Sequence, residues 1–336
     1  MTANASFYRN KRVLVTGGTG LIGISVVRKL LSLGAQVTVV SLDASSSINK
    51  EAEFIKGNLT DWHFCKTIVK HKDFVFHLAG TKGAVSTGVK KAASFFVPHL
   101  IFNTFMMEAA RQETIDRYLY ASTIGIYPAA PVFTEDHAWD GPPHPSNLYA
   151  GWAKRMGELQ AEAYKQEFGW SKIAIVRPAN VYGPHDYFDV SSSMVVPSLI
   201  RRAVEGENPF IVWGDGTPIR DFVYVDDAAD GVLMALEKAA NCIPINLGSG
   251  IGYSIKELVD VIKFYFPDLE VKWDAGKPNG EQVRVLDIKR AQKMLGYKPQ
   301  VTLKEGIGKT IEWYRNNKGV PDRHYNIFHE AKLIHI

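Results

Sequence analysis

Cysteine and long apolar runs are scarce in this 336-residue chain. Its two cysteines, Cys65 and Cys242, are too few for a disulfide framework, so a reducing compartment is expected. No apolar run reaches the roughly 18 residues that cross a bilayer, and the first residues lack the apolar centre of a secretory signal. We therefore expect a cytoplasmic protein with no membrane segment.

The chain also has only a small excess of charge of one sign. Lysine and arginine total 39 against 35 acidic residues, so the formal net charge is +4, and no dense basic run occurs. Because nucleic-acid binders concentrate positive charge on one surface, we expect no nucleic-acid partner, and the scattered basic residues suit a small anionic ligand. Histidine, cysteine and carboxylate residues show no metal-ligand spacing, so no metal is expected.

From Arg12 onward, short apolar runs alternate with amphipathic segments of helical length. Most of the runs lack polar alternation, as expected of parallel strands covered on both faces. Strands are predicted at Arg12–Thr16, Val37–Val40, Phe54–Lys56, Phe74–His77, Arg117–Ala121, Lys172–Arg177 and Pro244–Leu247. Helices are predicted at Leu21–Ser32, Phe95–Arg111, Ala150–Phe168, Met194–Glu205, Ile255–Phe266 and Leu303–Asn316. The pattern predicts an α/β fold with a doubly wound parallel sheet.

A glycine-rich turn joins the first predicted strand to the first predicted helix. Gly17 allows the positive φ of a tight turn, Gly20 lets the backbone meet a pyrophosphate, and Gly23 lets the helix lie close to the sheet. The helix then begins at Leu21 and Ile22, where free N–H groups attract a diphosphate. With its flanking strand and helix, this pattern predicts a Rossmann fold that binds a nicotinamide dinucleotide.

The residues after the second strand bear on which dinucleotide binds. An NAD-preferring site carries an acidic residue here, which holds the ribose 2′-hydroxyl. Ser41 is the first polar residue, and Asp43 after it either reaches the ribose or acts as a cap or turn residue. No arginine is nearby to bind a 2′-phosphate, so the sequence favours NAD and leaves NADP open.

The pattern changes after Pro178, where proline and glycine divide the chain into shorter pieces before helices resume. We expect residues 1–178 to form the dinucleotide-binding Rossmann domain, to which the strand at 244–247 returns. Residues 179–318 are expected to form mainly a smaller substrate-binding lobe, and residues 319–336 a C-terminal tail.

Further motifs carry a resemblance to a known family over about residues 11–318. They are His77-Leu78-Ala79-Gly80, Ala121-Ser122-Thr123, Arg177-Pro178-Ala179-Asn180-Val181-Tyr182-Gly183-Pro184 and Arg220-Asp221-Phe222-Val223-Tyr224-Val225-Asp226-Asp227. With the glycine-rich turn, they resemble the extended short-chain dehydrogenase/reductases, in the NAD-dependent epimerase/dehydratase group that acts on nucleotide sugars. The runs at 182–186, 212–218 and 277–280 look like the GDP-fucose synthase branch of that group.

The resemblance implies a set of ligand contacts and partners. Cofactor contacts are implied, besides the turn and Ser41 and Asp43, for Leu21, Ile22, Asn58, Leu59, Leu78, Ala79, Gly80, Lys154 and Pro178. Substrate contacts are implied for Thr123, Asn180, Val195, Trp213, Arg220 and Lys277. The implied substrate is a nucleotide sugar, with GDP favoured and UDP or dTDP left open, and the implied assembly is a homodimer.

The resemblance also implies a catalytic set of Ser or Thr, tyrosine and lysine. The tyrosine exchanges a proton with the sugar hydroxyl, the lysine holds the cofactor ribose and lowers the phenol pKa, and the Ser/Thr hydroxyl positions the same oxygen. Ser122 and Thr123 match the first role, and Lys154 matches the lysine. The tyrosine position, four residues before the lysine, is occupied by Ala150, with Tyr149 beside it.

Helix geometry argues that Tyr149 does not replace the absent tyrosine. At about 100° per residue, a four-residue offset returns to within about 40° of the lysine face, whereas five residues end about 140° away. Either the helix begins irregularly and Tyr149 reaches the site, or position 150 has lost its acid/base; the geometry favours the second. Ala150 is then either natural or an engineered Tyr→Ala change.

Two further departures limit the implied reaction. Gly125 and Met194 stand where GDP-fucose synthases have a cysteine and a histidine that invert carbons beside the keto group, and neither side chain carries a proton. The run 122–125 also lacks the carboxylates of 4,6-dehydratases. We therefore expect an NAD(P)-dependent nucleotide-sugar 4-epimerase or 4-dehydrogenase/reductase. The alternatives are a catalytically silent binding protein and an NADP-linked carbonyl reductase.

Overall fold

A seven-stranded parallel sheet forms the centre of the computed structural model, which describes residues 3–43, 49–80, 91–190, 193–277 and 279–319. Numbered along the whole chain, its strands are β1 (Arg12–Thr16), β2 (Gln36–Ser41), β3 (Glu53–Lys56), β4 (Phe74–His77), β5 (Arg117–Ala121), β6 (Ile173–Pro178) and β10 (Pro244–Leu247). Their order is β10-β6-β5-β4-β1-β2-β3, which reverses between β1 and β4. The predicted doubly wound Rossmann sheet is confirmed.

The central strands are apolar because both faces of the sheet are covered. Val15 of β1 lies between Val39 of β2 and Phe76 of β4, and β4 and β6 are buried along their whole length. Each predicted strand agrees with the structure to within about one residue at either end, because continuous apolar runs are typical of buried parallel strands.

Helices cover both faces of this sheet. One face carries α1 (Ala5–Tyr8), α2 (Leu21–Ser32), α7 (Val225–Lys238) and α9 (Lys289–Leu295). The other face carries α3 (Trp62–Ile68), α4 (Ala92–Gln112) and α5 (Leu148–Phe168), of which α4 and α5 pack along each other. Helices that follow parallel strands begin at the edge where those strands end, so α2 and α5 begin beside the expected ligand crevice.

The C-terminal half adds a smaller unit with its own apolar core. Its strands are β7 (Asn180–Tyr182), β8 (Phe210–Trp213), β9 (Ile219–Tyr224), β11 (Gly252–Ser254), β12 (Val271–Asp274) and β13 (Val283–Arg284). Strand β9 pairs with β7, β11 and β13, while β8 pairs with β12. Its helices are α6 (Val195–Val204), α8 (Ile255–Tyr265) and α10 (Leu303–Asn317).

Helix α7 is absent from the sequence prediction. Most of its residues are buried, including Ala228, Val232 and Leu236, so the polar face that identifies an amphipathic helix is narrow and consists of few residues. It packs against α2, and its apolar residues belong to the core of the central sheet. The chain therefore returns to the Rossmann sheet with α7 and α9 as well as with β10.

Two further expectations from the sequence concern membrane-spanning segments and the C-terminal tail. None of the helices in the described ranges is both long and apolar enough to cross a bilayer. The predicted tail at 319–336 lies outside the described residues beyond Gly319.

Candidate functional site

A cleft of about 630 Å³ opens at the carboxyl ends of the parallel strands. Gly17 after β1, Ser41 at the end of β2, Leu78 after β4, Ser122 after β5 and Pro178 at the end of β6 all line it. The opposite wall comes from the smaller unit, so one cleft is bounded by both parts of the chain. This is the edge at which α/β sheets bind their ligands.

The glycine-rich turn has the geometry that its spacing predicts. Gly17 has φ +68°, and a Cβ there would lie 2.8 Å from the Ala79 backbone. A Cβ on Gly23 would lie 2.2 Å from the Gly17 carbonyl oxygen. Gly20 precedes α2 without a side-chain cap, and Gly20, Leu21 and Gly23 line the cleft. The first turn of α2 thus presents backbone to the cleft, which suits a diphosphate.

Polar groups at the end of β2 are held by the same turn. The Thr19 hydroxyl lies 2.7 Å from Ser41 Oγ and 2.5 Å from Asp43 Oδ2, and all three residues line the cleft. Among the described residues of the lining, Arg284 is the one arginine, and it belongs to β13 on the other side. This end of the cleft therefore suits a ribose with free hydroxyls better than a ribose phosphate.

The remaining predicted cofactor residues lie along the same wall. Asn58, Leu59, Leu78, Ala79, Gly80 and Pro178 all line the cleft. His77 is buried, with its ring nitrogens 2.8 Å from Thr16 Oγ1 and 3.0 Å from Asn103 Oδ1. Burial, and then the charge of Lys154, lower the pKa of His77 to about 3, which agrees with a structural role.

Lys154 of α5 reaches the cleft from a buried position. Its Nζ donates a hydrogen bond to the Ala121 carbonyl oxygen at 2.8 Å, and burial lowers the pKa of Lys154 to about 7. Ser122 Oγ is buried and has no hydrogen-bond partner among the described residues. Thr123 Oγ1 accepts from the Gly125 N–H at 3.2 Å. A ligand hydroxyl in the cleft would supply the partner that the buried Ser122 hydroxyl lacks among the described residues.

Helix α5 begins at Leu148, after a 3₁₀ turn at Pro145–Asn147, so Tyr149 and Ala150 both lie within it. Both residues line the cleft. Tyr149 is 47% exposed, and its ring packs edge-on against Phe96 with 6.2 Å between centroids. Position 150, one turn before Lys154, presents only a methyl group, so the α5 side of the cleft has no phenol there.

The predicted substrate residues divide into two groups. Thr123, Asn180 and Val195 line the cleft, and Asn180 Nδ2 donates to the Asp221 carbonyl oxygen at 2.8 Å. Trp213, Arg220 and Lys277 are outside the lining. Trp213 is 65% exposed, and Lys277 Nζ lies 5.5 Å from the centre of its ring.

Arg284 is a lining residue that sequence reasoning missed. It lies beside Arg220 because β13 pairs in parallel with β9, and its Nε is 3.4 Å from Glu281 Oε2. Burial lowers the pKa of Arg284, and burial followed by the Arg284 charge lowers the pKa of Arg220 to about 10. Two adjacent guanidinium groups with one carboxylate nearby form a wall that favours an anion.

The signal for Arg284 is weak in the sequence because β13 has only two residues, too few to show a period. Sequence reasoning also missed the lining residues Ser146, Asn147, Tyr182, His185, Tyr187 and Phe222. Met194 lines the cleft, whereas Gly125 is outside the lining.

Comparisons with known proteins agree with this geometry. A sequence model of the NAD dependent epimerase/dehydratase family matches residues 13–248. The chain is 32% identical over 324 residues to a probable GDP-L-fucose synthase from Oryza sativa subsp. japonica, covering 94% of this chain and 95% of that protein. It is similar to an epimerase structure from Methanothermobacter thermautotrophicus, with TM-score 0.84, 26% identity and 93% and 94% of the two chains covered. It is also similar to a UDP-glucose 4-epimerase from Thermotoga maritima solved with UDP-glucose, with TM-score 0.82, 30% identity and 91% and 99% covered.

Proposed function

This chain belongs to the NAD dependent epimerase/dehydratase family, and we propose that it oxidises or epimerises carbon 4 of a nucleotide sugar. The observation that carries the proposal is the pairing of two diphosphate-compatible walls in one cleft. The glycine-rich turn and the start of α2 form one wall, and Arg284 stands on the other. Two diphosphate-bearing molecules can therefore meet in the same space.

The cofactor residues fit NAD. Backbone atoms lie so close to Gly17 and Gly23 that neither position has room for a side chain. A turn without side chains lets the protein backbone contact the diphosphate of a dinucleotide. When bound, NAD supplies a hydride acceptor or donor for the sugar carbon. The absence of arginine near Ser41 and Asp43 in the described lining supports NAD over NADP. The predicted nicotinamide cofactor is confirmed at the level of the family.

The reaction is proposed at carbon 4 because neither of the two positions expected to serve the neighbouring carbons holds a side chain that can carry a proton. Met194 presents a thioether and Gly125 presents no side chain. Ser122, Thr123 and Lys154 line the cleft, which supports the proposed roles of the two hydroxyl groups toward the sugar and of the lysine toward the cofactor ribose. A GDP sugar is the favoured substrate on the similarity to GDP-L-fucose synthases, while the UDP-glucose 4-epimerase likeness supports testing UDP sugars too.

Calorimetry and absorbance test this proposal together. Titration of the protein with NAD and then with GDP-, UDP- and dTDP-linked hexoses should give saturable heats, with the GDP sugar binding most tightly. Incubation with NAD and the preferred sugar nucleotide should raise absorbance at 340 nm, or should yield the C4 epimer. Absence of heat with every dinucleotide and every sugar nucleotide would overturn the proposal.

The rival function, a silent binding protein, is favoured by one observation, the methyl group at position 150. Tight binding of both ligands with neither reduced cofactor nor epimer would support it. Restoring the phenol by Ala150→Tyr should then raise turnover by roughly 10²–10⁴-fold, the usual contribution of general acid–base catalysis. Unchanged turnover in the Ala150→Tyr variant would show that the missing phenol does not limit proton transfer. A homodimer and a cytoplasmic location stay predictions.

A further inference from the structure

Ser146 and His144 form a hydroxyl–imidazole pair just before the first residue of α5. Ser146 lines the cleft, and its Oγ lies 2.8 Å from His144 Nδ1. The Ser146 backbone N–H also points at His144 Nδ1, at 3.3 Å. Because a backbone N–H only donates, Nδ1 carries its lone pair here and the serine hydroxyl is the donor to it. The hydroxyl is thus already aimed at a base.

A buried carboxylate lies close to the pair. Glu281 Oε2 lies 3.9 Å from His144 Nδ1, and Glu281 Oε1 is buried without a hydrogen-bond partner among the described residues. A carboxylate beside the imidazole faces the positive charge that a relayed proton would bring to the ring. The Nε of Arg284 lies 3.4 Å from the same Glu281 oxygen, so this carboxylate is shared between the arginine and the pair.

Lys154, Tyr149 and Ser122 differ from Ser146 in that none of them is hydrogen-bonded to a base in the contacts described for them. The Lys154 ammonium donates to the Ala121 carbonyl oxygen, and the Tyr149 ring packs on Phe96. Ser122 lines the cleft, but its buried Oγ has no hydrogen-bond partner among the described residues and so no base joined to it. The Thr16 hydroxyl also contacts an imidazole, that of His77, but Thr16 is outside the cleft lining, whereas Ser146 is part of it.

We propose that Ser146 takes the proton from the substrate hydroxyl and that His144 relays it, in the role that Ala150 leaves empty. In the oxidation step the substrate O–H bond breaks, its proton forms a bond to Ser146 Oγ, and the serine proton passes to His144 Nδ1. The carbon-bound hydrogen leaves with its electron pair to the oxidised nicotinamide dinucleotide, so the alcohol becomes a ketone. The reverse step returns each proton. This inference rests on the proposed function.

Ser146→Ala is the direct test. The hydroxyl is removed with little change in volume, so kcat should fall by roughly 10²–10⁴-fold, while KM and the NAD dissociation constant stay within about threefold. Ser146→Thr keeps a hydroxyl and should retain most of the activity. A kcat for Ser146→Ala equal to that of the unmodified protein would overturn the inference.

His144→Asn separates the relay from a structural role. His144 precedes the 3₁₀ turn and accepts the Ser146 N–H, and asparagine supplies an equivalent acceptor oxygen that takes no proton. Thermal stability and KM should be unchanged while kcat falls as in Ser146→Ala. Loss of stability with kcat preserved in the folded fraction would assign His144 a structural role only and overturn the relay.

Repeating Ser146→Ala in the Ala150→Tyr variant separates a role in proton transfer from a role in packing, because a packing defect would lower kcat equally in both proteins. With Ala150→Tyr present, the phenol carries the proton, so adding Ser146→Ala should lower kcat by no more than about threefold. An equal loss in both backgrounds would overturn the inference. If the unmodified protein binds both ligands but neither oxidises nor epimerises any sugar nucleotide, the inference fails while the binding half of the proposed function stands. If nothing binds, both fail.

Discussion

The two walls of the cleft differ in how their residues are fixed. On the dinucleotide wall, Gly17 and Gly23 are set by local constraints, because a turn and a helix start lie within a few residues of each other. On the substrate wall, Arg284 reaches the cleft only because β13 pairs with β9, far away along the chain. A local constraint produces a recognisable spacing of residue types in the sequence, whereas pairing between strands that are distant along the chain produces none.

The same contrast explains what the sequence predicts of the fold. Helix α2 is predicted with its observed bounds because an uncapped glycine turn starts it and its apolar face repeats. Helix α7 is missed because most of its residues are buried, and β13 because two residues show no period. The site follows this division: the predicted turn lies on the cleft, while Trp213, Arg220 and Lys277 lie outside its lining.

Gly23→Ala should have the largest effect, because it breaks the local constraint on the dinucleotide wall. The new Cβ would lie 2.2 Å from the Gly17 carbonyl oxygen and 2.6 Å from Gly18 Cα, so α2 must move off the turn. We expect the free energy of unfolding to fall by about 3 kcal/mol and NAD binding to be undetectable. Urea unfolding and calorimetry measure the two effects.

Gly20→Ala is the matched control for that prediction. Its Cβ would lie 3.4 Å from the Gly17 carbonyl oxygen, a tight but tolerable contact. Unfolding free energy should change by no more than about 1 kcal/mol, while NAD affinity falls because the methyl group meets the diphosphate. Equal destabilisation by both substitutions would show that the turn is not fixed as its spacing indicates.

Arg284→Met and Arg220→Met sharpen the comparison on the substrate wall. Arg284 lines the cleft and Arg220 does not, so Arg284→Met should weaken sugar-nucleotide binding by roughly tenfold to a hundredfold, as expected for a lost charge-assisted hydrogen bond. Arg220→Met should have the smaller effect, and NAD affinity should be unchanged in both. Calorimetry with each ligand measures this. A larger loss for Arg220→Met would favour the sequence-based choice of residue over the structural one.

Lys154→Met tests the buried charge between the two walls. Burial lowers the pKa of Lys154 from its ordinary value of 10.5 to about 7. Between these two pH values the lysine is protonated in the unfolded chain but largely deprotonated in the folded one, so the unfolded chain holds more protons. Stability from this group therefore rises with pH through that window, by at most about 1.4 kcal/mol per pH unit. The difference in unfolding free energy, unmodified minus Lys154→Met, should grow between about pH 7 and 9.5 in urea titrations. A difference independent of pH would mean that Lys154 keeps its charge in the folded state.

Trp213→Ala should have the smallest effect on the fold and a selective one on binding. Trp213 is 65% exposed and contacts the Lys277 ammonium, so unfolding free energy should change by about 0.5 kcal/mol or less. If the indole stacks on the nucleobase, a GDP sugar should lose more affinity than a UDP sugar, because the purine offers the larger face. Ile211→Ala is the control, since Ile211 is also exposed on the same face of β8, and it should leave both affinities unchanged. Equal affinities for Trp213→Ala and the unmodified protein would place the nucleobase away from β8, and the substrate wall would then consist of the Arg284 side alone.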